Sequence, residues 1–570
     1  MKLTDIIKGS EYDLSLFTEA QISELKSRIV ERQTKKGVEY YITCTVRKKD
    51  IKATPEEVVR QLYLLVLTSD LGYPVSRMEL EYEVTFGREK KRPNRNLEFR
   101  NYGDTETELK DKLQALFDKA KEKWQGVFTD DAKLLLTPSH LSVCVASLQD
   151  VKLFNSNLDV VDEAFEYLIN KSSKGEKGQY FTPRYVIDMC VKMLNPKANE
   201  KMIDTAAGSC GFPVHTIFHV WENILKSKGL SRSHLFTLEE KPAECTDYVQ
   251  DNVFAIDFDE KAVRVARTLN LIAGDGQTNV MHLNTLDYER WDETVKDEIW
   301  SDTYSEGWKK LKKLRTDKNS NRDFNFDIIM ANPPFAGDVK ESRILAKYDL
   351  SRSVSLEKLK NAPQGANVVA GEPTFPEALN NNGETVYQMS DGTFRKTKLK
   401  QASNMSRDIL FVERNLDFLK PGGRMAIVLP QGRFNNSSDK SLREYIADRC
   451  RILAVVGLHG NVFKPHTGTK TSVLFVQKWD EELCPKVDDY NIFFATMQEP
   501  SKDNSGDKIY RNTIDEDGNN VPLLDSHGHL IVKHDLFNHD GKTPNGIAEA
   551  FAEFAKKERL SFFVDAPLTR

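Results

Sequence analysis

MIDTAAGSCGF, residues 202–212, decides the fold. A short apolar run ends in Asp204, a loop of small residues carries Gly208 and Gly211, and an apolar helix follows. Glycines at such a turn let a backbone approach a ligand and let a helix pack close to its strand. The spacing is neither G-x-G-x-x-G nor a P-loop, and a simple tight turn would use the same residues.

The same texture extends on both sides. From about 179 to 480, short apolar runs alternate with amphipathic stretches: VFAIDFD (253–259), FDIIMANPP (326–334), RMAIVLPQG (424–432), ILAVVGLH (452–459) and TSVLFVQKW (471–479). This is the βαβ pattern of a doubly wound, mostly parallel α/β sheet. Ligands of such sheets bind at the carboxyl ends of the strands, so the polar residues ending these runs matter most. Two segments look irregular, the charged 292–325 and an insertion over 337–406. Loops longer than about 15 residues are usually functional or disordered, and the insertion runs for roughly 70 residues with little periodicity.

The 570 residues suit three or four domains or subdomains. The expected divisions are 1–103, a helical region 104–178, the sheet domain 179–480 and a polar tail 481–570 ending in a helix after Thr543-Pro544. Near the N-terminus Thr54, Pro55 and Glu57 read as a capping box opening a helix over 55–67. Met78, Leu80, Tyr82, Val84 and Phe86 alternate as a half-buried strand, followed by a basic loop over 88–96. Leu158, Val161, Phe165 and Leu168 form a core-facing helical stripe. No apolar run reaches about 18 residues, so no membrane span is expected, and residues 1–15 lack the apolar stretch of a signal peptide. Seven scattered cysteines with no C-x-x-C pair argue against zinc or disulfides and suit a reducing cytoplasm. A net charge of −5 suits a protein that holds nucleic acid only through local patches.

Two strand ends carry chemistry. Asp257 closes the run VFAID, where an acidic residue can accept both hydroxyls of a ribose; helix capping is its other reading, although Asp259 suits the N-cap better. FDIIMANPPFAG (326–337) stops at Asn332, then two prolines that cannot continue a strand, then an exposed Phe335. The Asn332 carboxamide oxygen and a carbonyl fixed by proline can together accept both N–H bonds of an exocyclic amine, with Phe335 stacked on the ring carrying it.

Asn-Pro-Pro-Phe after a parallel strand resembles the catalytic motif of S-adenosylmethionine-dependent DNA N6-adenine methyltransferases. GQYFTPRYVIDMCV (178–191), DTAAGSCGF (204–212), RDILFVERNLDFLKPGGRMAIVLPQGRF (407–434) and VVGLHGNVFKPHTGTKTSVLFVQKW (455–479) resemble modification subunits of type I restriction–modification systems, in order over about 150–480. The resemblance implies S-adenosylmethionine as cofactor and adenine-specific methylation of double-stranded DNA. Phe181, Thr182 and Pro183 would lie along the methionine end, Asp204, Gly208 and Gly211 would form the cofactor loop, and Asp257 would take the ribose. Asn332, Pro333, Pro334 and Phe335 would hold the target adenine. Thr182-Pro183 also reads as an ordinary N-cap and N1 pair. Cys210 stands where the family often has glycine. Asn284, or else Asp287, stands where an acidic residue often meets the cofactor's adenine.

Residues 54–92 resemble the start of the nuclease-like domain of type I restriction subunits, without the Asp and Glu-x-Lys that would hold magnesium. No nuclease activity is expected of it, and Arg88, Lys90, Lys91, Arg92 and Arg95 are either a DNA contact or a solvated loop. The basic segments 309–315 and 395–400 present the same two options. Base readout needs a dedicated element, and the polar segment after 480 does not look like one. The resemblance implies a separate specificity subunit, with a second modification subunit and a restriction subunit as further partners. Rival readings are an autonomous adenine methyltransferase, a protein glutamine methyltransferase and a non-catalytic scaffold.

Overall fold

The computed structural model describes residues 181–563, apart from 232–233, 235–240, 273–278, 382–384, 515–517 and 526–529. Nearer the N-terminus it describes 17–34, 37–46, 48–70, 105–123, 131–148 and several shorter pieces. The chain forms two compact units, 1–115 with 134–152, and 116–133 with 153–570.

In the first unit the helix expected over 55–67 spans Pro55–Leu65, and the Thr54 hydroxyl accepts the Glu57 N–H at 3.3 Å. The capping box is only half made, because the Glu57 carboxylate binds Arg60 and Gln61 instead. Val84–Phe86 pairs with Glu89–Lys91 as a hairpin. The rest of the strand expected over 78–86, most of the basic loop and the stripe at 158–168 lie outside the described residues.

The second unit is built on eight strands: β1 (Met202–Asp204), β2 (Val253–Asp257), β3 (Asn279–His282), β4 (Phe326–Ala331), β5 (Leu419–Pro430), β6 (Cys450–Gly457), β7 (Thr471–Lys478) and β8 (Phe493–Thr496). Their order across the sheet is β8-β6-β7-β5-β4-β1-β2-β3. β1 to β5 are mutually parallel, β7 opposes both neighbours, and β8 runs parallel to β6. Alternation along the strands feeds two cores. Ile203, Ile329, Ile427 and Leu474 face one, whereas Met202, Ile328, Val428 and Val473 face the other. A sheet buried on both faces explains why its strands read as continuous apolar runs.

Helices cover both faces. On the first lie α4 (Glu260–Ile272), α5 (Glu298–Lys312), α6 (Arg407–Phe418) and α7 (Lys440–Arg449). On the second lie α1 (Arg184–Leu194), α3 (Ala243–Asn252), α8 (Ile547–Lys557) and most of α2 (Gly211–Ser227). The Asp259 carboxylate accepts the Lys261 N–H at the start of α4, as expected of an N-cap.

Two sequence expectations are corrected here. The charged segment 292–325 contains α5, capped by Asp297 and buried along Trp300, Tyr304, Trp308 and Leu311. Its stripe is aromatic and widely spaced, so the intervening charges mask it. The insertion 337–406 is not structureless. Strands Arg352–Leu359, Asn367–Ala370, Thr385–Gln388 and Phe394–Gln401 form a separate four-stranded sheet, with a helix at Phe375–Asn381. Strand Arg352–Leu359 alternates Ser and Glu with Val and Leu, a half-buried pattern of low hydrophobicity that is easily read as loop.

Candidate active site

The order of strands reverses between β1 and β4, which makes their carboxyl ends the switch point of the sheet. At that edge Phe181, Thr182, Ile187, Asp204, Ala206, Ala207, Gly208, Ser209, Gly211, Phe212 and Asn332 line one shallow cleft. Six of the residues named from sequence are therefore brought together: Phe181, Thr182, Asp204, Gly208, Gly211 and Asn332. They come from three separate stretches of chain.

The glycine loop has the backbone its residues suggest. Gly208 has φ +51°, and the Cβ it lacks would meet only Phe181 Cε1, at 4.0 Å. A Cβ at Gly211 would lie 2.6 Å from Ile187 Cδ1, so glycine permits the close approach of α1 to the start of α2. Cys210 sits just before α2 with φ 65°, a left-handed conformation that glycine adopts without strain. Its side chain is fully buried.

Two carboxylates organise the loop. Asp204 Oδ1 accepts the Ala206 N–H at 3.0 Å. Burial pushes the Asp204 carboxyl well above the usual range, and the nearby Asp257 charge adds to this. Asp257 Oδ2 accepts the Gly208 N–H and Oδ1 the Asp259 N–H, both at 2.8 Å. Burial raises Asp257 as well, while those two N–H groups pull it back. Asp257 thus ties β2 to the loop, and each oxygen keeps a further acceptor site.

Asn332 follows the last residue of β4. Its Nδ2 donates to Thr182 Oγ1 at 3.0 Å. Its Oδ1 is buried and has no partner among the described residues. Buried polar atoms without partners are rare and call for an explanation. Thr182 is not the N-cap of α1; Pro183 holds that place without a side-chain bond, and the Thr182 hydroxyl serves Asn332 instead.

Two other expectations change. Phe335 is half-buried rather than exposed, with its ring edge-on to Phe463 at 6.1 Å and 87°. Asp287 is paired with Arg343, which donates to both its oxygens at 2.5 and 2.6 Å. Asn284 Oδ1 accepts the Leu286 N–H at 3.1 Å, and neither Asn284 nor Asp257 is among the residues lining the cleft. Ile187 and Phe212 were not foreseen as lining residues. Ile187 lies one turn into α1 from Pro183, so helical spacing would have found it, whereas Phe463 comes from a distant loop with no local signal.

A family model described as N-6 DNA Methylase matches residues 156–362 and 346–516. One described as Type I restriction enzyme R protein N terminus matches residues 55–96, where the sequence showed that resemblance. The EcoEI methylase subunit of a type I restriction enzyme of Escherichia coli is 22% identical over 317 residues, which is 55% of this chain and 45% of the relative. The EcoKI methylase subunit of Escherichia coli K12 is 21% identical over 420 residues, 71% of this chain and 60% of that one. The chain spans about half the length of the curated relatives it matches. A crystal structure of a modification subunit of a putative type I restriction enzyme from Vibrio vulnificus is 16% identical and covers 72% of this chain and 70% of its own, with a TM-score of 0.37. With the family model spanning the sheet, the glycine loop and Asn332, the chain belongs to the N-6 DNA methylase family.

Proposed function

We propose that the chain methylates the N6 nitrogen of an adenine swung out of a DNA duplex, as the modification subunit of a type I restriction–modification system. The buried, unpartnered Asn332 Oδ1 at the carboxyl end of β4 carries this reading. It is an acceptor awaiting a donor, and its orientation is held by the bond from Nδ2 to Thr182.

The cleft suits S-adenosylmethionine in its open backbone at Gly208 and in the acceptors that Asp204 and Asn332 bring to it. Phe181, Thr182 and Pro183 would flank its methionine end, Asp204, Gly208 and Gly211 its middle, Asp257 the ribose and Asn284 the adenine. Bound there, the cofactor supplies an electrophilic methyl group on a sulfonium. Asn332 Oδ1 accepts one N–H of the target amino group, and a carbonyl of the Pro333-Pro334 elbow accepts the other. The two acceptors turn the nitrogen lone pair out of conjugation with the ring, which Phe335 supports. No strong base is required, because the nitrogen releases its proton only after it has gained the methyl group. Most of the rate then comes from positioning. The target must leave the duplex to reach such a site.

Double-stranded DNA and a separate specificity subunit are the partners of this reading, with a second modification subunit and a restriction subunit in the larger assembly. Sequencing of modified bases in DNA from cells carrying the wild type or Asn332→Ala tests it. Loss of N6-methyladenine by about 10²–10³-fold in rate is expected, as for removal of one preorganised hydrogen-bonding group. Unchanged methylation in the variant would overturn the role of Asn332.

A further inference from the structure

We infer that one face of the insertion's sheet is a track for the phosphates of one DNA strand, formed by Lys396, Lys398 and Lys400. This rests on the DNA reading above and adds a surface to it. Strand Phe394–Gln401 pairs antiparallel with Arg352–Leu359 in continuous register, setting Lys400 opposite Ser353, Lys398 opposite Ser355 and Lys396 opposite Glu357. Residues two apart share a face of a strand. The three lysines therefore stand in one row, with two short hydroxyl side chains beside them.

Lys398 and Lys400 are exposed and Lys396 is half-buried. The row outnumbers its one facing carboxylate, Glu357. None of the three lysines makes an ion pair among the described residues. The Ser353 and Ser355 hydroxyls donate to the Lys400 and Lys398 carbonyls at 3.1 Å, which leaves the ammonium groups unscreened by them. The opposite face carries Val354, which packs on the first core, and buried Thr397. Arg352 and Arg395 on that anchored face are ion-paired with Asp349 and Asp391, whereas the lysine row on the other face, beside buried Val386, is not.

The other basic segment, 309–315, is used differently. Lys310 donates to the Gln250 carbonyl at 2.7 Å and pairs with Asp251 at 3.2 Å. Lys312 and Arg315 lie over the Trp308 ring. Those charges hold α5 in place, whereas the lysine row holds nothing.

The row also lies close in sequence to the base-holding elbow. Five residues beyond Lys400, Met405 pairs with Val339, and Ser406 pairs with Asp338, three residues past Phe335. The Arg407 guanidinium packs against Gly337. Lysines on one strand face recur about every 7 Å, so the row spans about 14 Å. That is about four axial steps of 3.4 Å, so the three lysines fall at about every second phosphate of one strand.

The test measures binding of the full-length chain to a mixed-sequence duplex by fluorescence anisotropy, over about 50–200 mM salt. In K396Q/K398Q/K400Q the slope of log affinity against log salt is expected to fall in magnitude by about 2.7, from about 0.9 per phosphate contact. K396R/K398R/K400R should restore it, and Lys309→Ala/Lys313→Ala should leave it unchanged. Thermal unfolding of each variant checks the fold. An unchanged slope in the Gln variant, failure of the Arg variant to restore it in a folded chain, or no measurable DNA binding by the wild type would overturn the track. A ladder-dependent slope in a chain that methylates no adenine in cells would leave the track standing and overturn the enzymatic reading.

Discussion

Asn332 has one side-chain atom fixed and the other open. The donor bond to Thr182 Oγ1 defines which end of the amide faces the cleft. Thr182→Val removes that acceptor while keeping the branched shape. Leaving a buried amide hydrogen unpaired costs about 1–3 kcal/mol, and the amide is then free to turn. We expect kcat for methylation to fall by about 10-fold or more with KM for S-adenosylmethionine little changed, and Thr182→Ser to restore it. Equal rates for Thr182→Val and the wild type in steady-state assays would remove the positioning role. Asn332, Gly208 and Asp204 were legible in the sequence because each ends or follows a short apolar run. Thr182 was named, but its partner lies 150 residues away, and the capping role that the sequence also offered its hydroxyl is not used.

Helix α6 shows how an element joins the insertion to the sheet. The Glu413 carboxylate, fully buried on this helix, accepts the N–H groups of Asp349 and Leu350, each at 2.8 Å, at the head of the insertion's first strand. Burial, and then the Asp417 charge, push the Glu413 carboxyl from 4.5 up to about 8, against the pull of the two N–H groups. Arg322 lies 3.9 Å away, and Asp349 adds a further negative charge. A carboxyl whose folded pKa is raised favours the folded state most when protonated. Its contribution is full below 4.5 and is lost as pH rises to about 8. Glu413→Gln keeps the shape and removes the titration. The fall in melting temperature between those pH values should therefore be shallower in the variant, with the smaller effect of Asp417, raised to about 6, remaining. Parallel melting curves for wild type and variant across that range would contradict the assignment. The sequence located α6 within a recognisable motif, but a glutamate amid VERNLDF looks solvent-exposed until the insertion folds over it.

For the whole molecule, the cleft is assembled from chain near 181, 204–212 and 332, which meet only in the folded unit. A ligand bound there must stabilise the native state by linkage. S-adenosylmethionine at about 100 times its Kd should add about 2.7 kcal/mol and raise the melting temperature by several degrees. A calorimetric scan showing no shift at saturating cofactor would remove the cofactor assignment. The sequence by itself determined six of the eight strands of the doubly wound sheet, since strands buried on both faces must be apolar throughout; the short β3, NVMH, and the half-exposed edge strand β8, FFAT, carry no such run. It also determined which strand ends hold the amide and the carboxylates, because those residues adjoin the runs that deliver them. Tertiary structure alone decided that Thr182 serves Asn332, that Asp287 belongs to Arg343, that Phe335 leans on Phe463, and that a weakly patterned insertion is a sheet with a lysine row on one face. Periodicity records which side of an element is buried, and it carries no record of which distant side chain arrives to meet it.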